Sequence, residues 1–392
     1  MTRNLKPQPR ADARVFVACL AILLLTEFCF GQDAGSSTPA GGRSTVKLRT
    51  NWSEFHRTNM VRWNPHETTL NIDNVGRLRL KWRRTTGGGY SSPAVVNGVV
   101  FVGSSRPYVY ALKATTGAKL WSYKTGEFVA SSPAVANGVV YVGSEDFNVY
   151  ALDARTGAKM WSYKTQEFVD SSPTVANGVV YVGGGNYLYA LNAKTGAMLW
   201  SYTDGAGVDS SPVVINGVVY LAMISVYALN AGTGALLWSN HQASGFRGSP
   251  AVANGVVYVG SAADRGVYAL DANTGALLWG RALGGPVDSS PAVANGVVYV
   301  GADDNKVYAL NANTGAVQWT YTTGDIVESS PAVANGVVYV GSFDGNVYAL
   351  AASTGAKLWS YYTGSVGSSP VVVNGVLYVD SDDGNLYAFG LK

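Results

Sequence analysis

At one recurring place the chain gathers charge. The residue just before each Ser-Ser-Pro or Gly-Ser-Pro step reads Tyr90, Ala130, Asp170, Asp209, Arg247, Asp288, Glu328 and Gly367. Carboxylates grouped in this way suit a cation, a basic peptide or, through Arg247, a ligand carboxylate. The plainer reading is a solvated rim whose acids accept backbone hydrogen bonds, and it is the commoner case. A Ca²⁺ site asks for more, because oxygens from separate repeats must converge within about 2.5 Å of one ion. His241 lies on the same loop as Arg247. With no paired carboxylate or nucleophile in view it reads as a surface residue. His56 and His66 show no metal-ligand spacing. The candidate binding rim is therefore Asp170, Asp209, Arg247, Asp288 and Glu328 with His241, and no catalytic, cofactor or metal residue is assigned.

What holds these residues is a repeat. The string SSPAVANGVVYVG is identical at Ser131–Gly143, Ser289–Gly301 and Ser329–Gly341. Its proline falls at 93, 133, 173, 212, 250, 291, 331 and 370, a period of 38 to 41 residues. Each unit carries four apolar runs separated by turn signals. Asn-Gly joins the first two runs in every unit, the strongest short hairpin signal, since both positions need positive φ. Runs such as GVVYVG are almost continuously apolar, so both faces of the sheet must be covered. A four-stranded antiparallel unit repeated at about 40 residues, buried on both faces, is a propeller blade.

The eighth unit stops at NLYAFGLK after three strands. Its missing fourth strand is supplied by LRLKW (Leu78–Trp82). The expected fold is all-β, an eight-bladed β-propeller closed by pairing this N-terminal strand with the three C-terminal ones. Closure removes the open sheet edge. Strands alternate in direction, so the Asn-Gly and Thr-Gly turns share one monotonous face. The loops that differ share the other, and specific binding is expected there. In the fourth unit, Met223 and Ile224 replace small and polar residues, reading either as a contact patch or as a hairpin packed inward.

ALDARTGAKMW (Ala151–Trp161) resembles the tryptophan-docking motif of pyrroloquinoline-quinone (PQQ) repeat propellers, and seven copies are present. NVGRLRLKW (Asn74–Trp82) resembles the lead-in to the first blade of quinoprotein alcohol dehydrogenases. The resemblance covers about residues 51–392. It implies that Trp82, Trp121, Trp161, Trp200, Trp238, Trp279, Trp319 and Trp359 dock blade against blade rather than form a cofactor floor.

Ahead of the repeats, Arg3, Lys6, Arg10 and Arg14 precede the apolar run Val15–Leu25. That length suits a signal-peptide core and is too short to span a bilayer. Residues 1–31 are expected to be a signal peptide, 32–50 a linker, 51–77 an N-terminal strap and 78–392 the propeller. Cys29 could alternatively take a lipid anchor, although bulky Phe28 precedes it. Both cysteines, Cys19 and Cys29, fall within the signal segment, so packing must hold the exported chain together. Without that segment the net charge is near +1 with no basic block, which argues against nucleic-acid binding.

Three functions follow. Near-identical blades supply little of the asymmetry that catalysis needs. That favours a monomeric, exported, non-catalytic platform for envelope or secreted proteins or peptides, similar to the propeller subunit of the outer-membrane barrel-assembly machinery. The alternative is a PQQ-dependent alcohol dehydrogenase using PQQ with Ca²⁺. Such enzymes carry an adjacent cysteine pair and long insertions over the cofactor, which these uniform repeats lack. A multivalent sugar or peptide binder is the third.

Overall fold

The computed structural model describes residues 51–57, 61–242 and 244–392, so the expected signal peptide and linker lie outside the described residues. In each repeat the Asn-Gly pair forms the tight first turn, with φ of 50° at Asn137 and 78° at Gly138 in the second. This primed geometry matches the twist of the strands it joins. In that blade the turn links Ala134–Ala136 to Val139–Ser144, and Asn148–Asp153 and Lys159–Lys164 complete the sheet. The two middle strands are buried along most of their length, as their unbroken apolar runs require.

Among the described residues eight such sheets are present, and the seventh carries a fifth strand, Trp63–Asn64 of the strap, paired parallel to Ala332–Ala334. The eighth consists of Val371–Val373, Val376–Ser381 and Asn385–Gly390, closed by Arg79–Thr85 in antiparallel register with Trp82 opposite Ala388. The closing strand thus starts one residue later than expected and runs three residues further. Leu78 instead ends a short 3-10 helix, Val75–Arg77, and is buried.

Blades are held to their neighbours by a repeated clasp. Trp161 Nε1 and Tyr141 Oη of the second blade both donate to the Ala193 carbonyl of the third, each at 3.0 Å. The same pairs converge on Ala231, Ala272, Ala312, Ala352 and, across the closure, Ala114. Between the first and second blades Phe101 stands in for the tyrosine, and Trp121 alone bonds Ala154. The glycine of each Thr-Gly turn lies under the preceding tryptophan. A Cβ on Gly157 would sit 2.7 Å from the Trp121 ring, and its φ of 75° also favours glycine.

The junction between the seventh and eighth blades differs, because the eighth ends without a Thr-Gly motif. Here Leu70, Val75 and Leu78 of the strap pack with Tyr339, and Trp359 meets Phe389 edge-on at 5.1 Å.

A second set of bonds closes around the axis. The second serine of each Ser-Ser-Pro step accepts the backbone N–H of its counterpart in the preceding blade. The chain of donors runs Ser92, Ser132, Ser172, Ser211, Ser249, Ser290, Ser330, Ser369 and back to Ser92, at 2.8–3.0 Å.

The strap occupies the centre of this ring. Trp52 forms a two-bond bridge with Val95, and the Ser53 carbonyl accepts from Val135 N–H. The Glu54 carboxylate accepts from Val175 N–H at 3.3 Å. Further on, Val61 and Arg62 carbonyls accept from Val293 and Val333 at 3.0 Å, and Asn64 Nδ2 donates to the Val372 carbonyl. The strap thereby meets the middle residue of six innermost strands, satisfying polar groups that would otherwise face an open channel.

The clasp yields a direct test. Trp161→Phe removes a bond to a docking carbonyl, whereas Trp359 has no such alanine ahead of it. Trp161→Phe should therefore cost about 1 kcal/mol more than Trp359→Phe in urea unfolding followed by circular dichroism. Equal losses would mean that the indole bond contributes no net stability.

Candidate functional site

Two hydrogen bonds fix the geometry of a Ser-Ser-Pro step in six of the eight blades. Its first serine accepts the N–H of the residue ending the Tyr-Val-Gly run, as in Gly143 to Ser131 at 3.1 Å, while its second joins the axial ring. The residue before the step is thereby held at the mouth of the channel. Asp170, Asp209, Arg247, Asp288 and Glu328 all line one depression of about 490 Å³, together with Tyr90, Ala130 and Gly367. Its floor is Phe55 of the strap.

His241 is not among these residues. Its Nδ1 lies 2.6 Å from Ser225 Oγ and its Nε2 3.0 Å from Ser239 Oγ, and it stands edge-on to Tyr227. Met223 is buried in the core of its blade, while Ile224 is exposed beside the rim, so each of the two readings of that hairpin describes one residue.

The structure adds acids that the rim alignment did not name. Glu145 lines the mouth, and Asp303 lies with Asp288 and Glu328 so that one carboxylate oxygen of each falls within 4.8 Å of the others. Both added acids occupy the same step of the loop between the second and third strands. Aligning that loop as well as the Ser-Ser-Pro loop would have found them.

The carboxylates form two groups, with Arg247 beside the second. Burial first, then the neighbouring Asp209 charge, holds the Asp170 carboxyl above its ordinary range. Glu145 is raised by burial and by Asp170 and Glu127. On the other side, burial raises Asp288 against the opposing pull of Arg247, whose Nη1 lies 3.4 Å from Asp288 Oδ2. Only a tenth of the Asp288 side chain is exposed, and its Oδ1 has no hydrogen-bond partner. Burial and the Asp288 charge also raise Asp303 and Glu328. Such a surface attracts ammonium, guanidinium or metal cations. The second-position serines lining it are engaged in the axial ring, and among the described residues neither histidine nor cysteine lines it.

Beneath the floor, Arg62 is fully buried on the channel side of the strap. Its guanidinium donates to the carbonyls of Phe55 at 2.6 Å, Pro370 at 2.9 Å and Pro331 at 3.0 Å. It also lies 4.7 Å from the centre of the Phe55 ring, a cation–π arrangement. Burial pulls its pKa down to about 9. The same burial pushes Glu54 up to about 7. Burial, then the Arg62 charge, brings His56 down to about 3.

The fold and this rim define a PQQ-repeat β-propeller with a strap-filled channel. The chain belongs to the family described as outer membrane protein assembly factor BamB, whose model matches residues 66–171, 146–245, 222–329 and 323–392. It is also similar to the dehydrogenase subunit of alcohol dehydrogenase (quinone) from Gluconobacter oxydans (strain 621H), at 29% identity over 134 residues. That alignment spans 31% of this chain and 17% of the relative. Among solved structures, a europium-containing methanol dehydrogenase matches with a TM-score of 0.76 and 17% identity, over 87% of this chain and 98% of that one. BamB from Moraxella catarrhalis matches with a TM-score of 0.71 and 20% identity, over 80% of this chain and 100% of that one. At these identities the structural likeness speaks to the fold.

The quinoprotein relatives raise the question of PQQ, which carries three carboxylates. The mouth would meet it with two groups of carboxylates, while its one guanidinium is paired with Asp288. All eight repeat tryptophans lie in the outer strands, away from the mouth. The mouth does not fit that cofactor, and no reaction step is derived through it.

Glu54 gives the strap a pH signature. A carboxyl raised from 4.5 to about 7 binds its proton more tightly in the folded chain, so its stabilising effect is present at low pH. It is lost as pH rises from 4.5 through about 7. Glu54→Gln keeps an acceptor for Val175 N–H without ionising. It should match the parent at about pH 4 and exceed its stability at about pH 8 by up to roughly 3 kcal/mol in urea unfolding. No gain at pH 8 would show that Glu54 ionises there without penalty.

Proposed function

We propose that this protein is a non-catalytic binding platform outside the cytoplasm, whose acidic mouth receives a lysine or arginine side chain from a partner protein or peptide. The observation that carries this reading is the pairing of two carboxylate groups with a single guanidinium around a depression floored by Phe55. A long cationic side chain has the length to enter such a depression and to lay its apolar stem against the ring. The acids are raised in pKa by burial and by one another, and an arriving cation relieves that repulsion.

Export is supported by the basic and apolar pattern of residues 3–25. Among the described residues no helix is long and apolar enough to cross a membrane. The mouth is complete within one chain, so a monomer suffices. Its residues differ from blade to blade, which suits one asymmetric ligand better than a multivalent sugar array. The dehydrogenase reading gains nothing from the donor set, which opposes an anionic cofactor.

Isothermal titration with an Arg- and Lys-containing hexapeptide, against its citrulline and acetyl-lysine counterpart, tests the reading. The cationic peptide should bind, and added salt should weaken it. The D170N/D209N/D288N/E328Q variant should bind at least about tenfold more weakly. Equal binding by the variant would remove the mouth from consideration.

A further inference from the structure

The face opposite the acidic mouth carries a site of reversed polarity. A cavity of about 830 Å³ opens where the strap crosses the Asn-Gly turns of the first two blades. Arg57, Arg155 and His66 line it, and among the described residues no carboxylate does. Asn97 and Asn137 also line it, and Phe101, Leu120 and Val135 supply an apolar wall. The volume lies in the range of built ligand sites.

Arg57 is the residue that needs explaining. It is only 5% exposed, and among the described residues its Nε has no hydrogen-bond partner. Its Nη1 makes one long contact, 3.4 Å to the Trp63 carbonyl. Among the described residues neither Arg57 nor Arg155 takes part in an ion pair. Arg62, by contrast, satisfies its guanidinium with three carbonyls. A buried guanidinium left short of acceptors is costly, and a carboxylate is the partner whose two oxygens match its fork.

We infer that this cavity binds the C-terminal carboxylate of a peptide ending in apolar side chains, with Arg57 and Arg155 holding the carboxylate. The apolar wall takes the terminal side chain. Asn97 and Asn137 pair with the peptide backbone, which a fatty acid could not use. This site is separate from the acidic mouth, and the two faces offer opposite charge to their ligands.

The test uses the full chain and the peptide acetyl-Gly-Leu-Phe as free acid and as C-terminal amide, with dodecanoate as a third ligand. The free acid should bind at least about tenfold more tightly than the amide. Arg57→Gln should abolish that preference. Because Arg57 is buried, Arg155→Ala provides a second reading: Arg155 is exposed, so this variant should keep the parent's melting temperature and lose part of the preference. The quadruple mouth variant should bind the free acid unchanged, which separates this site from the mouth. Equal affinity for acid and amide, an undiminished preference in both arginine variants, or tighter binding of dodecanoate than of the peptide would overturn the assignment.

Discussion

One alanine carbonyl taking two donors is the interaction on which the ring depends. Trp161 and Tyr141 reach Ala193 from different strands of one blade, so the bond fixes both the distance and the tilt of the next blade. The glycine beneath the indole lets the two sheets approach to contact. A small angular error per junction would accumulate around eight blades and prevent closure. Near-identical motifs follow from that requirement, because each junction must turn the chain by the same angle. Where the motif is missing, the strap residues Leu70, Val75 and Leu78 fill the gap.

The axis imposes a different constraint. Eight innermost strands converge there, and their inward-facing polar groups need partners. The serine ring supplies some of these partners with perfect regularity, while the strap, meeting six of the innermost strands, supplies others irregularly. Its irregularity breaks the pseudo-symmetry of the propeller. Phe55 floors one face, Arg57 lines a cavity on the other, and Arg62 is held between carbonyls of the seventh and eighth blades and that of Phe55. Two sites of opposite charge therefore arise from nearly identical blades.

The rim was partly legible in the sequence. Asp170, Asp209, Arg247, Asp288 and Glu328 could be aligned because each precedes the same Ser-Ser-Pro or Gly-Ser-Pro step. Glu145 and Asp303 were hidden in loops of variable composition, although their positions are equivalent. His241 shares a loop with Arg247 yet turns away to Ser225 and Ser239, since loop membership does not decide direction. The strap gave no signal at all. Nothing in the sequence singled out Glu54, Arg57 or Arg62, and His56 stood out only for lacking metal-ligand spacing, yet each is buried.

Repetition and turn chemistry alone determined the blade, the number of blades and the strand that closes them. Asn-Gly and Thr-Gly act locally, and the apolar runs report burial on both sides without reference to any partner. The tertiary structure decided what fills the channel, how far the closing strand extends, and which charges lose their water. Those outcomes depend on contacts between residues up to about three hundred positions apart, such as Arg62 with Pro370. No local preference encodes them, because an arginine or a glutamate becomes buried only when the assembled ring leaves it no route to solvent.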